Sequence, residues 1–283
     1  MATAASPWAD SPLSLIHTPQ FQTNKIILPF SRVQTDIFTT GATHMCLLHN
    51  AIFRGYNSIF HQASAVEDGQ DKADFIGYCL TWYKFVKSHH DDEEAVLFPT
   101  VARLLDDESV FSETYAEHKV FLPGLAAFHD YLAHDIDGAP LNFDGEHLLT
   151  LMAAFEKPFE HHFRSEIATI AALADHPNAP QAGSPQEAEA SALFKSWGKS
   201  TVSKAGTFDV VPFFLLNLDR STGPNAFEGG RWTSWPPMPA PVRWGLVNIA
   251  GAWNSGWWQF ASCDAAGQPQ TLYTMRSGES SAC

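Results

Sequence analysis

The chain has 283 residues, of which 45% are hydrophobic and 17% charged, a composition typical of a globular protein rather than a disordered one. Its net charge of −14 argues against binding to nucleic acid or to an anionic membrane surface, since both require a basic face. No apolar run is long enough to span a bilayer, the first Lys or Arg is Lys25, and four scattered cysteines show no disulfide-like spacing. These features predict a cytoplasmic protein.

Helical periodicity predicts a mainly α protein whose first 35 residues form an N-terminal arm. Apolar residues recur at helical spacing in four segments, residues 36–67, 71–105, 112–133 and 144–173. Pro99 should interrupt the second helix and Pro158 should kink the fourth, because proline removes a helical hydrogen bond. Long helices joined by short connections, such as residues 134–140, predict an up-down-up-down four-helix bundle over residues 36–175.

The residues after the bundle change in character. Residues 176–206 are predicted to be a linker with a short helix over about 187–200. Residues 207–283 contain six of the nine tryptophans, all between Trp232 and Trp258, among many Pro and Gly residues. They lack the regularly spaced strands of an independent β domain. We therefore predict an irregular, aromatic-rich C-terminal extension that packs on the bundle.

Two segments contain the pattern His-x-x-x-Glu: KSHHDDEEAVLFP at 87–99 and EHHFRSEI at 160–167. Positions i and i+4 lie on one face of a helix, so an imidazole and a carboxylate can converge on one cation. A single such pair is common on a solvated helix. Two pairs, on the second and fourth of four predicted helices, indicate a metal site.

The register of the second helix follows from its apolar face. The residues seven, four and three positions before His89 are all apolar: Trp82, Phe85 and Val86. The corresponding positions before His90 form a face of mixed apolar and charged residues, which includes Lys87. We therefore predict that His89 and Glu93 point into the bundle and that His90 does not.

The fourth helix gives a clearer choice. His162 follows apolar positions and has Glu166 four residues later, whereas His161 has Lys157 before it and Ser165 after it. The predicted inward pair is therefore His162 and Glu166.

The first and third helices each carry a histidine on the apolar stripe, His49 and His118. Alone, either one would more often be a hydrogen-bonded core histidine than a ligand. Four buried imidazoles and two buried carboxylates, however, have no Lys or Arg in register to neutralise them. A pair of metal ions would offset the buried charge.

This pattern resembles the hemerythrin-like (HHE cation-binding) family: a histidine in the first helix, HHDDEEAVLFP in the second, a histidine in the third and HHFRSE in the fourth. The stretch HNAIFRGYNSIFHQA at 49–63 and the Trp-rich tail resemble the fungal members. The resemblance implies two iron ions, with manganese as a less expected alternative, and two bridging glutamates. The implied ligands are His49, His89, Glu93, His118, His162 and Glu166.

The ligand pattern of this chain differs from that of the oxygen-carrying hemerythrins, which are similar to one another in having five histidine ligands. Only four are placed here from the sequence, with His129 or His147 as candidates for a fifth. Fewer nitrogen ligands would leave open coordination positions, which favours activation of O2 over reversible carriage. We expect a non-haem di-iron protein that binds O2 and activates it to oxidise a small molecule, or alternatively an O2 carrier or an iron or oxygen sensor. The sequence identifies no catalytic residue and no substrate.

Overall fold

The computed structural model describes residues 10–26, 36–66, 69–133, 142–223 and 225–276. The predicted loop at 134–140 and parts of the predicted arm, residues 1–9 and 27–35, lie outside these ranges. The described residues are helical or irregular, and their β-type pairing is an isolated bridge between Cys263 and Pro269. Within the same ranges no helix combines the length and apolar character needed to cross a bilayer.

The helices of the described residues follow in chain order. The α-helices are α1 (Pro19–Ile26), α2 (Ile37–Gln62), α3 (Gln70–Asp92), α4 (Phe98–Leu105), α5 (Ser112–Ala133), α6 (Gly145–Ala172), α7 (Pro185–Ala205), α8 (Val210–Leu216), α9 (Ala240–Gly245) and α10 (Tyr273–Arg276). Two π-helical segments occupy Glu93–Leu97 and Leu246–Ala250. Short 3-10 segments occupy Ala63–Ala65, Leu173–Asp175, Phe227–Gly230, Gly251–Asn254 and Trp257–Phe260.

Helices α2, α3 with its continuation α4, α5 and α6 form the predicted four-helix bundle, so the mainly α fold is confirmed. Helix α6 packs against both α2 and α5, and α3 packs against α5 and α2. Aspartate side chains cap the starts of α2 and α6. The Asp36 carboxylate accepts a hydrogen bond from the backbone N–H of Thr39 at 2.8 Å, and that of Asp144 accepts one from Glu146 at 2.9 Å.

The second bundle helix changes geometry at Glu93, before the proline. Residues Glu93–Leu97 form a π-helical turn, in which the Phe98 N–H bonds to the Glu93 carbonyl. Pro99 then lies in the first turn of α4, where its missing N–H leaves no helical hydrogen bond unmade. Single π-helical turns inside α-helices are frequent at functional sites.

Two further helices cover the outer side of α3. Helix α7 packs across α2 and α3, and Gly41 of α2 lets the Phe194 ring approach so closely that an added Cβ would lie 2.8 Å from its Cδ1 atom. Helix α8 is buried along its whole length, with the Phe213 ring 4.9 Å from that of Tyr78. As a result α3 is enclosed on both sides.

The residues after α8 lie against α2 and α3 through polar contacts to backbone groups. Gln62 and Ser58 side chains both donate to the carbonyl of Phe260, the amide of Gln62 at 3.1 Å. The buried Phe260 ring packs 5.0 Å from that of Phe75. Trp253 remains 87% exposed, so the extension keeps part of its aromatic surface in solvent.

The described part of the N-terminal arm also contacts the bundle. Side-chain oxygens of Asn50 and Asn57 accept hydrogen bonds from the backbone N–H groups of Ile16 and Leu13 at 2.8 and 2.9 Å. These bonds fix an irregular segment along α2 by satisfying its backbone donors.

Candidate metal centre

Two groups of buried histidine and glutamate side chains converge inside the bundle. One group consists of His49, His89, Glu93 and Glu166, and the other of His90, Glu93, His118 and His162. Within each group the potential ligand atoms lie within 4.8 Å of one another. All seven side chains are at most 2% exposed. Because Glu93 belongs to both groups, the two sites are adjacent.

The two carboxylates lie between the groups. Glu93 Oε1 is 2.9 Å from His89 Nε2, while its Oε2 atom is 3.9 Å from His118 Nε2 in the other group. Glu166 Oε2 is 3.4 Å from His49 Nε2 and 3.7 Å from His162 Nε2. Each carboxylate therefore reaches nitrogen atoms of both groups.

Backbone carbonyls orient two of the histidines. His49 Nδ1 donates to the Phe163 carbonyl at 3.0 Å, and His90 Nδ1 donates to the Val86 carbonyl at 2.8 Å. A carbonyl can only accept, so Nδ1 carries the proton in both rings. The lone pair of each neutral imidazole is then on Nε2, which faces the site.

Two more histidines are oriented by carboxylates that lie outside the two groups. His118 Nδ1 bonds to Glu94 Oε1 at 2.6 Å, and His162 Nδ1 bonds to Glu117 Oε2 at 3.1 Å. Hydrogen bonds of this kind fix the tautomer of a metal-binding histidine and make its other nitrogen a better donor to the metal.

The geometry fits bound cations. The Nε2 atoms of His90 and His162 are 3.1 Å apart, and with both Nδ1 atoms protonated they would direct lone pairs at each other. Two nitrogens bound at right angles to one metal at about 2.1 Å each would lie about 3 Å apart. In addition, all four oxygens of Glu93 and Glu166 and the Nε2 atom of His118 are buried without a hydrogen-bond partner in the part of the chain that the structure describes. A metal ion in each group would satisfy these atoms.

Burial determines the protonation of the ligands. It raises the pKa of the Glu93 and Glu166 carboxyls well above the ordinary value and lowers the pKa of His89 and His162 to about 4. The neutral imidazole is the form that binds metal. Among the described residues, neither carboxylate pairs with Lys or Arg, so cations are the charge that would stabilise them.

The six residues implied by the family resemblance all lie in these two groups, but the prediction for His90 is wrong. His90 is 2% exposed, and its ring lies 4.5 Å from that of His118 and 5.0 Å from that of His162. The mixed-face argument failed because α3 is covered on two sides. His90 packs against rings of α5 and α6, whereas α7 covers the side that carries His89, so two adjacent positions of α3 are both buried. A usable signal was present, since His89 and His90 precede Glu93 by four and three residues.

Neither of the two candidates considered for a fifth histidine ligand belongs to these groups. His129 has a side chain 37% exposed, stacks on Tyr83 and contacts Asp130, and His147 is exposed beside Tyr131. His90 is therefore the fifth histidine that the structure adds. His161, predicted to face outward, has a side chain 71% exposed.

Two carboxylates beside the ligands were missed in the sequence. The Glu94 side chain is 44% exposed even while it contacts His118, so its place on the helix surface gave no sign of this contact. Glu117 contacts His162 and also accepts from the Ser165 hydroxyl at 2.7 Å. Because Glu117 acts across a helix interface, sequence spacing gave no sign of it.

Comparison with known families agrees with this geometry. Residues 40–174 match the model of the hemerythrin HHE cation binding domain, a range that contains all seven convergent side chains. The bundle is a hemerythrin HHE domain. A curated relative, "Dimeric xanthone biosynthesis cluster protein R11" of Cryptosporiopsis sp. (strain 8999), is 28% identical over 234 residues. The alignment covers 82% of this chain and 81% of that protein, so the similarity extends well beyond the HHE domain. No solved structure matches the chain.

Proposed function

We propose that the HHE domain binds two iron ions and that the chain is a non-haem di-iron protein that uses O2 to oxidise a small molecule. The observation that carries this proposal is the pair of four-residue groups sharing Glu93. Imidazole and carboxylate donors without thiolates suit iron, with manganese as the alternative. When bound, the iron pair would supply a redox-active centre able to bind and reduce O2.

The surrounding residues support that chemistry by holding the ligands and excluding bulk water. Glu94 and Glu117 fix the rings of His118 and His162 through their Nδ1 atoms. Phenyl rings complete the enclosure: Phe163 lies 4.4 Å from His49, and Phe121 lies 4.9 Å from His90. A dry site limits the loss of reactive species to water.

A role in small-molecule chemistry is supported by the relative, whose name places it in a biosynthesis cluster for dimeric xanthones. By analogy, we propose that this chain also acts on a product of a biosynthetic sequence. The reaction class would be an O2-dependent tailoring oxidation.

The structure also favours a second candidate, an O2 carrier or an oxygen sensor. With His90 included, the site has five histidines, which removes the argument that missing nitrogen ligands favour activation. Burial of every ligand also restricts access to molecules as small as O2 unless the protein moves.

One experiment separates the candidates. The iron-loaded protein would first be reduced under anaerobic conditions and then exposed to O2. Its visible absorption spectrum and the consumption of O2 would be recorded over time. An oxidase or oxygenase should consume O2 irreversibly, whereas a carrier should regain its reduced spectrum when O2 is removed. The His90→Ala variant, expected to lack one metal ligand, serves as the control and should lose either response. A wild-type protein that binds no iron would refute both candidates.

A further inference from the structure

Helix α7, outside the HHE domain, reaches the metal centre. The indole of Trp197 is 4% exposed, and its centroid lies 5.6 Å from the His89 ring. One helical turn later the side chain of Thr201 is buried too, and Lys204 Nζ lies 3.5 Å from Asp92 Oδ1. Residues 197, 201 and 204 therefore form one stripe of α7 along the α3 stripe that carries His89 and Asp92.

On these stripes of α3 and α7, four buried polar atoms have no hydrogen-bond partner among the described residues: His89 Nδ1, Asp92 Oδ2, Trp197 Nε1 and Thr201 Oγ1. Burying such groups unpaired is costly, and native proteins usually satisfy them. His89 is also the exception among the five histidines. The Nδ1 atoms of His49, His90, His118 and His162 all contact a carbonyl or a carboxylate.

The chemistry of the four atoms specifies the ligand. When its Nε2 atom binds metal, neutral His89 carries its proton on Nδ1, so His89 and Trp197 both offer N–H donors. Asp92 offers an acceptor, and the hydroxyl of Thr201 can accept. A water molecule provides two lone pairs and two protons, which matches two donors and two acceptors.

We propose that α7 is part of the metal centre, with Trp197 and Thr201 holding a buried water that links His89 Nδ1 to the Asp92 carboxylate. The link supplies His89 with the outer partner that the other four histidines have within the protein. Trp197 and Thr201 are thus positioning residues, acting on the metal through His89. This inference rests on the metal binding proposed above and goes beyond it, since neither residue belongs to the HHE domain.

The first test measures metal affinity in the full-length protein, using zinc as the probe and a competing chelator. Trp197→Phe keeps the ring but removes the donor, and Thr201→Val keeps the shape but removes the hydroxyl. Each should weaken zinc binding about tenfold or more, as loss of an outer hydrogen bond to a ligand typically does. Thr201→Ser keeps the hydroxyl and should bind zinc about as tightly as the wild type. Trp244→Phe changes a tryptophan that is 60% exposed and should also leave the zinc affinity unchanged.

The second test separates positioning from general packing. In the zinc-loaded protein, the Nδ1 protons of His49, His89 and His90 can be followed by NMR. Thr201→Val should speed solvent exchange of the His89 proton, while the protons bonded to the Phe163 and Val86 carbonyls keep their rates. This comparison remains available if Trp197→Phe does not fold.

A high-resolution crystal structure should show an ordered water touching all four atoms. If the wild type binds zinc and both Trp197→Phe and Thr201→Val bind it with the same affinity, the role proposed for α7 is overturned. The proposed di-metal site would then remain intact. A wild-type protein that binds no zinc and no iron would refute both.

Discussion

At the level of single residues, His90 and His161 form a matched pair, since each is the neighbour of a candidate ligand histidine and only His90 is buried. His90→Ala removes a nitrogen donor from the group around His118, so we expect it to reduce the metal content of the purified protein. His161→Ala removes an exposed ring and should leave it unchanged. Metal analysis of both variants checks this, and the reverse order would remove His90 from the ligands and favour His161 over His162.

The metal-free protein should lose stability on acidification. Burial lowers the pKa of all five histidines, to about 4 for His89 and His162. The unfolded chain therefore takes up protons below pH of about 6.5, whereas the folded chain does not until the lowered pKa is reached. Stability is lost across that window as pH falls.

The two buried glutamates act in the opposite direction. Their raised pKa lets the folded chain keep protons that the unfolded chain releases above the ordinary value of 4.5, so they favour folding as pH falls. Because five histidines outnumber two carboxyls, the net effect is destabilisation. Urea unfolding of the metal-free protein at pH of about 7 and about 5 measures this change in the free energy of unfolding. Greater stability at the lower pH would show that the histidines are not buried in their neutral form.

The composition of the site could be predicted only in part from the sequence. Periodicity and the His-x-x-x-Glu spacing identified the inward pairs because those signals lie within one helix. His90, Glu117 and Trp197 could not be placed in this way, since their environment is created by helices distant in sequence. The burial of His90 depends on rings of α5 and α6, such as Phe121 and Phe163, whose positions against α3 no local pattern specifies.

At the level of helices, two glycines test how the extension packs. A methyl group at Gly77 of α3 would overlap the Trp257 indole, whereas one at Gly198 of α7 would have no atom of the described residues within 4 Å. Gly77→Ala should therefore displace Trp257 and destabilise the protein. Gly198→Ala should stabilise it by up to about 1 kcal/mol, since alanine favours helix. Urea unfolding of both variants checks the contrast, and equal effects would show that Trp257 does not pack on α3.

The bounds of the helices were largely predictable. Helix α5 spans the predicted residues, and α6 differs from prediction by one residue at each end, because strong apolar periodicity and the Asp144 cap define them. The π-helical turn at Glu93–Leu97 was not predicted, since its sequence, EEAVL, carries no signal that separates it from an α-helix. This turn joins α3 to α4 and sets the rotation of α4 about the helix axis relative to the histidines of α3, so its effect is confined to these two helices.

At the scale of the whole molecule, the HHE domain supplies the convergent side chains. The later residues enclose α3, which carries His89 and His90 and leads directly into Glu93. Helix α7 reaches His89 through Trp197, and α8 packs Phe213 near Phe85 at 6.2 Å. The alignment with the curated relative extends across this wider unit. The sequence predicted an aromatic extension, but it gave no indication that a helix before it would contact a ligand.

Iron quantification combined with X-ray absorption spectroscopy of the iron-loaded protein tests whether the two groups that share Glu93 hold a pair of metal ions. We expect two irons per chain and a metal–metal distance of about 3.5–4 Å, as in other two-metal sites. Glu93→Ala should lose that distance signal, because Glu93 is shared by both groups. A single metal ion per chain, or two ions without a metal neighbour at that distance, would show that the two groups do not form a two-metal site.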